Sequence, residues 1–307
     1  MNQGAALRRL FSEKRMLPSL GVYDALSARI AAGLGAPSIY VTGYGAAAAR
    51  LGVPDIGLMS MSEMVEHVRC IAGAVSCPVI ADADTGYGGP ANVRRTVREY
   101  EAAGVDVIQL EDQQWPKRCG HMEGKRLVSQ AEMVQRIQVA VDSRRSPDFL
   151  ILARTDAIAV EGFDAAIARA LVYQEAGADL LFVEAPRSEA EMARIPGLLN
   201  RPCLANMVEG GKTPYKTVPE LEAMGYAVAL FPISTLLAAA FAVRASVEAI
   251  LRDGGTQALS GELMRFGQFN ELIGLEEYSQ LMNGGRPPKE GGRRWVKSRQ
   301  DARDEFF

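Results

Sequence analysis

What most constrains this chain is a repeated unit: a short apolar run, one or two polar residues, then a stretch of helical period. The apolar runs stand at Leu20–Asp24, Ser38–Thr42, Val79–Asp82, Val107–Glu111, Leu150–Thr155, Leu180–Glu184, Cys203–Met207 and Ala227–Phe231. Continuously apolar strands are buried on both faces, as in parallel sheets. Three helical stretches end on related words: Ala-Ala-Gly-Val-Asp at 102–106, Glu-Ala-Gly-Ala-Asp at 175–179 and Ala-Met-Gly-Tyr-Ala at 223–227. Each puts glycine where a helix stops and the next strand is about to start. Eight such units with no linker between them predict a (β/α)8 barrel over residues 1–254. A doubly wound open sheet is the competitor, but it rarely sustains eight units without a second domain. Residues 255–307 carry no barrel unit. Leu259–Phe266 and Gly267–Leu281 are expected to be helices of an extension exchanged between the subunits of a homo-oligomer, a tetramer by expectation.

Composition narrows the function classes. Of 307 residues, 48% are hydrophobic and 23% charged, and the net charge of −3 leaves no nucleic-acid footprint. The most apolar stretch, Ala227–Val243, is interrupted by Pro232 and Ser234 and is short for a membrane span. It is expected to be a buried strand and a buried helix, with no membrane partner. Cys70, Cys77, Cys119 and Cys203 match no zinc or redox spacing. Met1–Pro18 holds no apolar region of signal-peptide length, so reduced thiols in the cytoplasm are expected. His67 and His121 are the two histidines, which excludes a three-histidine zinc site.

In a barrel of this kind, functional side chains come from the C-terminal strand ends. Those ends supply Asp24, the turn Thr42-Gly43-Tyr44, Asp55 in the following loop, Asp82, Asp84, Glu111, Asp112, Arg154, Asp156, Glu184, Asn206, Glu209 and Ser234. Asp82 and Asp84 are one residue apart at a strand end and should project together. Like charges held close need a cation or a proton between them. Hard oxygen ligands beside a flexible loop suit Mg²⁺. A lone strand-end carboxylate is more often a helix cap, but a crowd of them around one arginine calls for a cation. The loop Pro116-Lys117-Arg118-Cys119-Gly120-His121 adds a thiol and an imidazole flanked by cations, and neighbouring cations favour thiolate.

Together, Asp82-Ala-Asp84-Thr-Gly-Tyr-Gly, Glu111-Asp112-Gln113, Lys117-Arg118-Cys119-Gly120-His121 and Ala153-Arg154-Thr155-Asp156 resemble the isocitrate lyase / phosphoenolpyruvate mutase superfamily, from Gly21 to about Gly254. The third motif is most similar to the lyase side, which includes 2,3-dimethylmalate and methylisocitrate lyases. The resemblance implies that Asp84 binds Mg²⁺ (or Mn²⁺) directly, with Asp55, Asp82 and Glu111 holding the ion's waters. Thr42, Gly43 and Tyr44 would hold a substrate carboxylate, and Arg154 would neutralise a developing enolate. Cys119 would be the general acid/base on a mobile loop, with Glu111 and His121 also catalytic. Asp82, Gly120, His121, Arg154, Glu184, Asn206 and Ser234 complete the expected substrate contacts.

Two departures bear on the substrate. Methylisocitrate lyases usually follow the histidine with R-P-N-K, where this chain has Met122-Glu123-Gly124-Lys125; they carry a T-E-F-G-type segment, where it has Val208-Glu209-Gly210-Gly211. An arginine and an aromatic that help seat a tricarboxylate are missing, which favours a smaller dicarboxylate such as a substituted malate. The expected reaction releases pyruvate or another 2-oxo acid and a second carboxylate. Oxaloacetate decarboxylase and a phosphonate-type mutase, the carboxyphosphonoenolpyruvate enzyme included, are the same-fold alternatives. A non-catalytic metabolite-binding barrel is the alternative of another class.

Overall fold

The structure is a computed structural model that describes residues 3–120 and 122–285. Eight parallel strands close a barrel in sequence order: β1 (Leu17–Val22), β2 (Ile39–Val41), β3 (Val79–Asp82), β4 (Val107–Glu111), β5 (Leu150–Thr155), β6 (Leu180–Val183), β7 (Cys203–Asn206) and β8 (Val228–Phe231). The expected (β/α)8 fold is borne out.

Strand alternation sorts the side chains into two layers. Tyr40, Ile80, Val107, Leu150, Leu152, Leu180, Phe182, Leu204, Val228 and Leu230 pack together with Leu7 and Phe11 of the helix Gly4–Ser12. Intervening residues such as Val41, Ala81, Ile108, Ile151 and Leu181 pack in a larger cluster with apolar residues of the surrounding helices, Val68, Val97 and Ile137 among them. Truncating such a buried leucine or isoleucine to alanine typically costs about 2–5 kcal/mol. The repeated glycine words behave as read. Gly104, Gly177 and Gly225 take φ of 93°, 105° and 91°, and a strand starts three residues after each.

Four sequence expectations are corrected. Asp24 is a helix cap: its carboxylate accepts from Ser27 N at 2.7 Å, and the Asp24 amide donates in return to Ser27 Oγ. Thr42-Gly43-Tyr44 is not a free turn but the start of the helix Gly43–Leu51. Thr42 Oγ1 caps Gly45 N there, and the alanine run 46–49 carries the helix on. The long apolar helix, Ser234–Asp253, is mostly exposed rather than buried. Among the described residues it is the one helix long and apolar enough to cross a membrane. In the tail, no helix spans Leu259–Phe266; the helices are Phe266–Leu272 and Leu275–Met282, broken at Gly274 with φ 81°.

Candidate active site

The site lies at the C-terminal mouth of the barrel, in a cleft of about 240 Å³. β3 ends at Asp82, and Asp84 follows with a left-handed backbone, φ 49°. The turn, not strand alternation, therefore brings the two carboxylates together. Asp82 Oδ1 accepts from Asp84 N at 3.0 Å and from Gln109 Nε2 at 3.2 Å, and Gln109 is itself held by Tyr40 OH at 2.7 Å. Gly43 sits over the pair with no room for a side chain: a Cβ would lie 2.9 Å from Asp82 Oδ2 and 3.6 Å from Asp84 Oδ1.

Lys117 comes down from the loop after β4 into this cluster. Its ammonium lies 2.6 Å from Asp55 Oδ1 and 2.7 Å from Asp84 Oδ1, and the side chain is 2% exposed. Burial works against that charge, but Asp84, Asp55, Asp82 and Glu111 outweigh it and hold the amine well above its ordinary range. Burial, then Asp82 and Asp55, push Asp84 up to about 7 against the pull of Lys117. Burial likewise raises Glu111, although Arg154 opposes it.

Arg154 projects from β5 and is gripped by Asp156, through Nε at 2.9 Å and Nη2 at 3.0 Å. Glu111 Oε2 lies 3.5 Å from Nε and Glu184 Oε2 3.8 Å from Nη2, and the guanidinium stacks over Phe182 at 5.1 Å. Asn206 Nδ2 donates to Glu184 at 3.2 Å, while Asn206 Oδ1 and Glu111 Oε1 are buried without a hydrogen-bond partner. Asp112, named in the second motif, belongs to the layer behind. It accepts from Thr155 Oγ1, Tyr173 OH and the Asp156 amide, so it fixes Asp156 and does not face the cleft.

Cys119, Gly120 and Tyr44 line the same cleft. Gly120 is pressed against the floor: a Cβ there would collide with Arg154 Nη2 and lie 2.8 Å from Glu184. The cations expected to surround the thiol are engaged elsewhere, Lys117 with Asp55 and Asp84, Arg118 with the Glu123 carbonyl at 3.1 Å. Ser234 lies at the rim, bonded to Glu209, and Thr42 serves as a cap. His121 lies outside the described residues. Sequence reasoning missed Lys117 as the partner of the metal-type carboxylates. It also missed the Tyr40–Gln109 support of Asp82 and the buried Lys125. Tyr40 and Gln109 each stand inside an apolar run, which was their one signal.

The donor set fits a divalent cation. Asp55, Asp82, Asp84, Glu111, Asp156 and Glu184 are buried carboxylates, against the buried cations Lys117, Lys125 and Arg154. That is an excess of negative charge in a place of low dielectric. Among the described residues no three acidic, cysteine or histidine side chains converge tightly enough to chelate an ion, and the Lys117 ammonium fills the point where Asp55 and Asp84 meet. Mg²⁺ needs no tighter cage, since it usually takes one or two carboxylates and keeps several waters.

Comparison with known proteins agrees with this geometry. The family model for phosphoenolpyruvate phosphomutase matches residues 7–251. The chain is 48% identical to a 2,3-dimethylmalate lyase of Eubacterium barkeri over 92% of its length and 97% of the relative's. It is 42% identical to a 2-methylisocitrate lyase of Aeropyrum pernix, over 90% and 89%. A crystal structure of a 2,3-dimethylmalate lyase superposes with TM-score 0.88 at 37% identity, covering 95% of this chain and 98% of that one. A phosphonopyruvate hydrolase in complex with oxalate and Mg²⁺ superposes at 0.83 with 30% identity, covering 92% and 99%. The lyase character expected from the motifs is thus borne out, and the chain belongs to the phosphoenolpyruvate phosphomutase family, within the superfamily it shares with isocitrate lyase.

Proposed function

We propose that the protein is a Mg²⁺-dependent carbon–carbon lyase acting on a substituted malate of the 2,3-dimethylmalate type, releasing a 2-oxo acid such as pyruvate and a second carboxylate. One observation carries this reading: the loop bearing Cys119 folds down until Gly120 touches Arg154 and Glu184, so thiol, guanidinium and carboxylates share one cleft. Asp84 would hold the metal, with Asp55, Asp82 and Glu111 on its waters. The metal, when bound, supplies Lewis-acid stabilisation of negative charge on the substrate oxygens.

The chain's own residues do the rest. The first-turn amides of Gly43 and Tyr44 receive a substrate carboxylate at a helix N-terminus. Glu111, ionised beside the bound cation and with its Oε1 buried and unpartnered, accepts the proton of the 2-hydroxyl. The C–O bond becomes C=O and the C–C pair moves onto the neighbouring carboxylate-bearing carbon. Arg154 offsets the charge as it spreads onto that carboxylate. Cys119 then delivers a proton to the carbon, completing the second product. The folded loop keeps water from the carbanion.

Substrate size follows from the walls. Phe182, Leu230, Pro232, Ile233 and Val208 give the cleft an apolar lining, and segment 208–211 brings no cation to it. Methyl groups suit that surface, and a third carboxylate does not. A panel assay tests the reading: 2-oxo acid release, CO₂ release and P–C bond turnover, each on its own substrates. Pyruvate from 2,3-dimethylmalate is the expected result; CO₂ from oxaloacetate or P–C cleavage without it would overturn the lyase assignment.

The tail beyond residue 254, with the helix Ser234–Asp253, is read as the assembly element of a homotetramer, helices exchanged between subunits. Phe241 and Leu251 on that helix are 74% and 81% exposed, which supports cover by a second copy. The four cysteines, none of them in a disulfide, suit a reducing, cytoplasmic setting.

A further inference from the structure

The loop after β4 has a neck and a tip. Gln113 and Leu127 form an antiparallel bridge, and Gln114 N donates to Arg126 O at 2.8 Å. Lys125 stands at this neck, yet its side chain is buried. The ammonium donates to the carbonyl of Gly120, at the tip, and lies 3.4 Å from Asp156 Oδ1. Asp156 is the group that grips Arg154, and Asp112 holds the Asp156 amide at 3.0 Å. A buried ammonium is costly unless its protons are satisfied. Lifting the tip would remove the Gly120 carbonyl from Lys125 and leave that need unmet.

We propose that Lys125 is a positioning residue: anchored at the neck and paired to Asp156, it receives the Gly120 carbonyl and thereby sets the adjoining Cys119 over Arg154. Lys125 does not itself line the cleft, although its partner Gly120 does. The same ammonium ties loop closure to the arginine that offsets enolate charge, through the shared Asp156. The proposal rests on the reading of Cys119 as proton donor, but its test reads the loop directly.

The test is alkylation of Cys119 by iodoacetamide in the full-length protein, with and without oxalate plus Mg²⁺, followed by peptide mass spectrometry. Oxalate binding is measured in parallel by calorimetry. Oxalate should protect the wild-type thiol. Lys125→Met should lose about tenfold or more of that protection while oxalate affinity stays within about threefold, and kcat should fall by up to about 10² with KM little changed, the scale expected of a displaced catalytic group. Lys125→Gln keeps a donor toward Asp156 but shortens the reach to Gly120, so it should show the same loss in a fold less at risk. Lys125→Arg should restore part of the protection. Full protection in both neutral variants would overturn the proposal, as would protection lost only in step with oxalate affinity, or a wild-type thiol that oxalate does not protect. Failure of the lyase reading would show separately, as no 2-oxo acid release by the wild type in the panel assay.

Discussion

Removing the Lys117 ammonium should reveal how much uncompensated charge the barrel mouth holds. Lys117→Met keeps the length of the side chain and deletes the group that lies 2.6 and 2.7 Å from Asp55 and Asp84. Breaking a buried pair by removing one partner costs about 3–5 kcal/mol, because the other charge stays buried. At about 2 °C per kcal/mol for a large domain, Tm in EDTA should drop by roughly 6–10 °C. The cost should depend on pH, with a definite sign. Asp84 already sits near 7 in the folded protein, and losing Lys117 removes a pull that lowers it. Between the unfolded aspartate value of about 3.9 and that raised value, the folded state binds the extra proton, so stability falls as pH rises. The Lys117→Met deficit should therefore grow as pH rises through about 7, where Asp84 ionises in the wild type but resists ionising in the variant, and be larger at about pH 8.5 than at about pH 6. Mg²⁺ should raise Tm more in the variant than in the wild type, since no ammonium competes for Asp84. Melts followed by circular dichroism at fixed protein concentration measure all of this. A variant that melts with the wild type in EDTA at the higher pH would refute the counterion role.

Dialysis against EDTA should abolish turnover and Mg²⁺ or Mn²⁺ should restore it, with Asp84→Ala more damaged than Asp55→Ala; full activity in the metal-free protein would contradict the metal assignment. Cys119→Ser should lower kcat by about 10²–10⁴ with a smaller change in KM, whereas Cys70→Ala and Cys77→Ala should turn over normally. Cys203 should resist alkylation, because burial pushes its thiol up to about 12. Light scattering should show an oligomer, and Phe241→Asp with Leu251→Asp should shift it to smaller species without loss of folded barrel; a compact wild-type monomer at micromolar concentration would rule the assembly out.

The strands were legible because a parallel barrel buries them on both faces, so each reads as an unbroken apolar run whatever its neighbours are. The helix stops at Gly104, Gly177 and Gly225 were legible because a left-handed residue there is a local requirement. Local signals also misled. Asp24 looks like any strand-end carboxylate until Ser27, three residues on, is seen to complete its cap. Thr42-Gly43-Tyr44 suggested a turn, and the alanines at 46–49 decided for a helix. The apolar character of 234–253 was plain, but hydrophobicity does not say what covers a helix, and its own barrel does not. In the site, the motifs brought the carboxylates, Arg154 and Cys119 to one mouth. Which cation meets which carboxylate depends on where a loop comes to rest, and no local pattern encodes that. Lys117 read as a neighbour of the thiol, because it is two residues away in sequence; the fold sends it to Asp55 and Asp84 instead.

That placement has a consequence for the order of events. Lys117 and Cys119 ride on one loop, so the ammonium that offsets Asp55 and Asp84 and the proposed proton donor arrive over the cleft together. Lifting the loop would withdraw a buried positive charge from a cluster already rich in carboxylates, which is unfavourable unless a divalent cation takes over. Metal should therefore loosen the loop in the absence of substrate, by relieving the need for Lys117. Adding Mg²⁺ alone should speed the alkylation of Cys119 in the wild type. The same addition should have little effect in Lys117→Met, whose loop has lost that tether and should already react faster in EDTA. Were Mg²⁺ alone to slow alkylation in the wild type, the ammonium and the metal would be acting side by side, and Lys117 would be a partner of the metal site rather than its substitute.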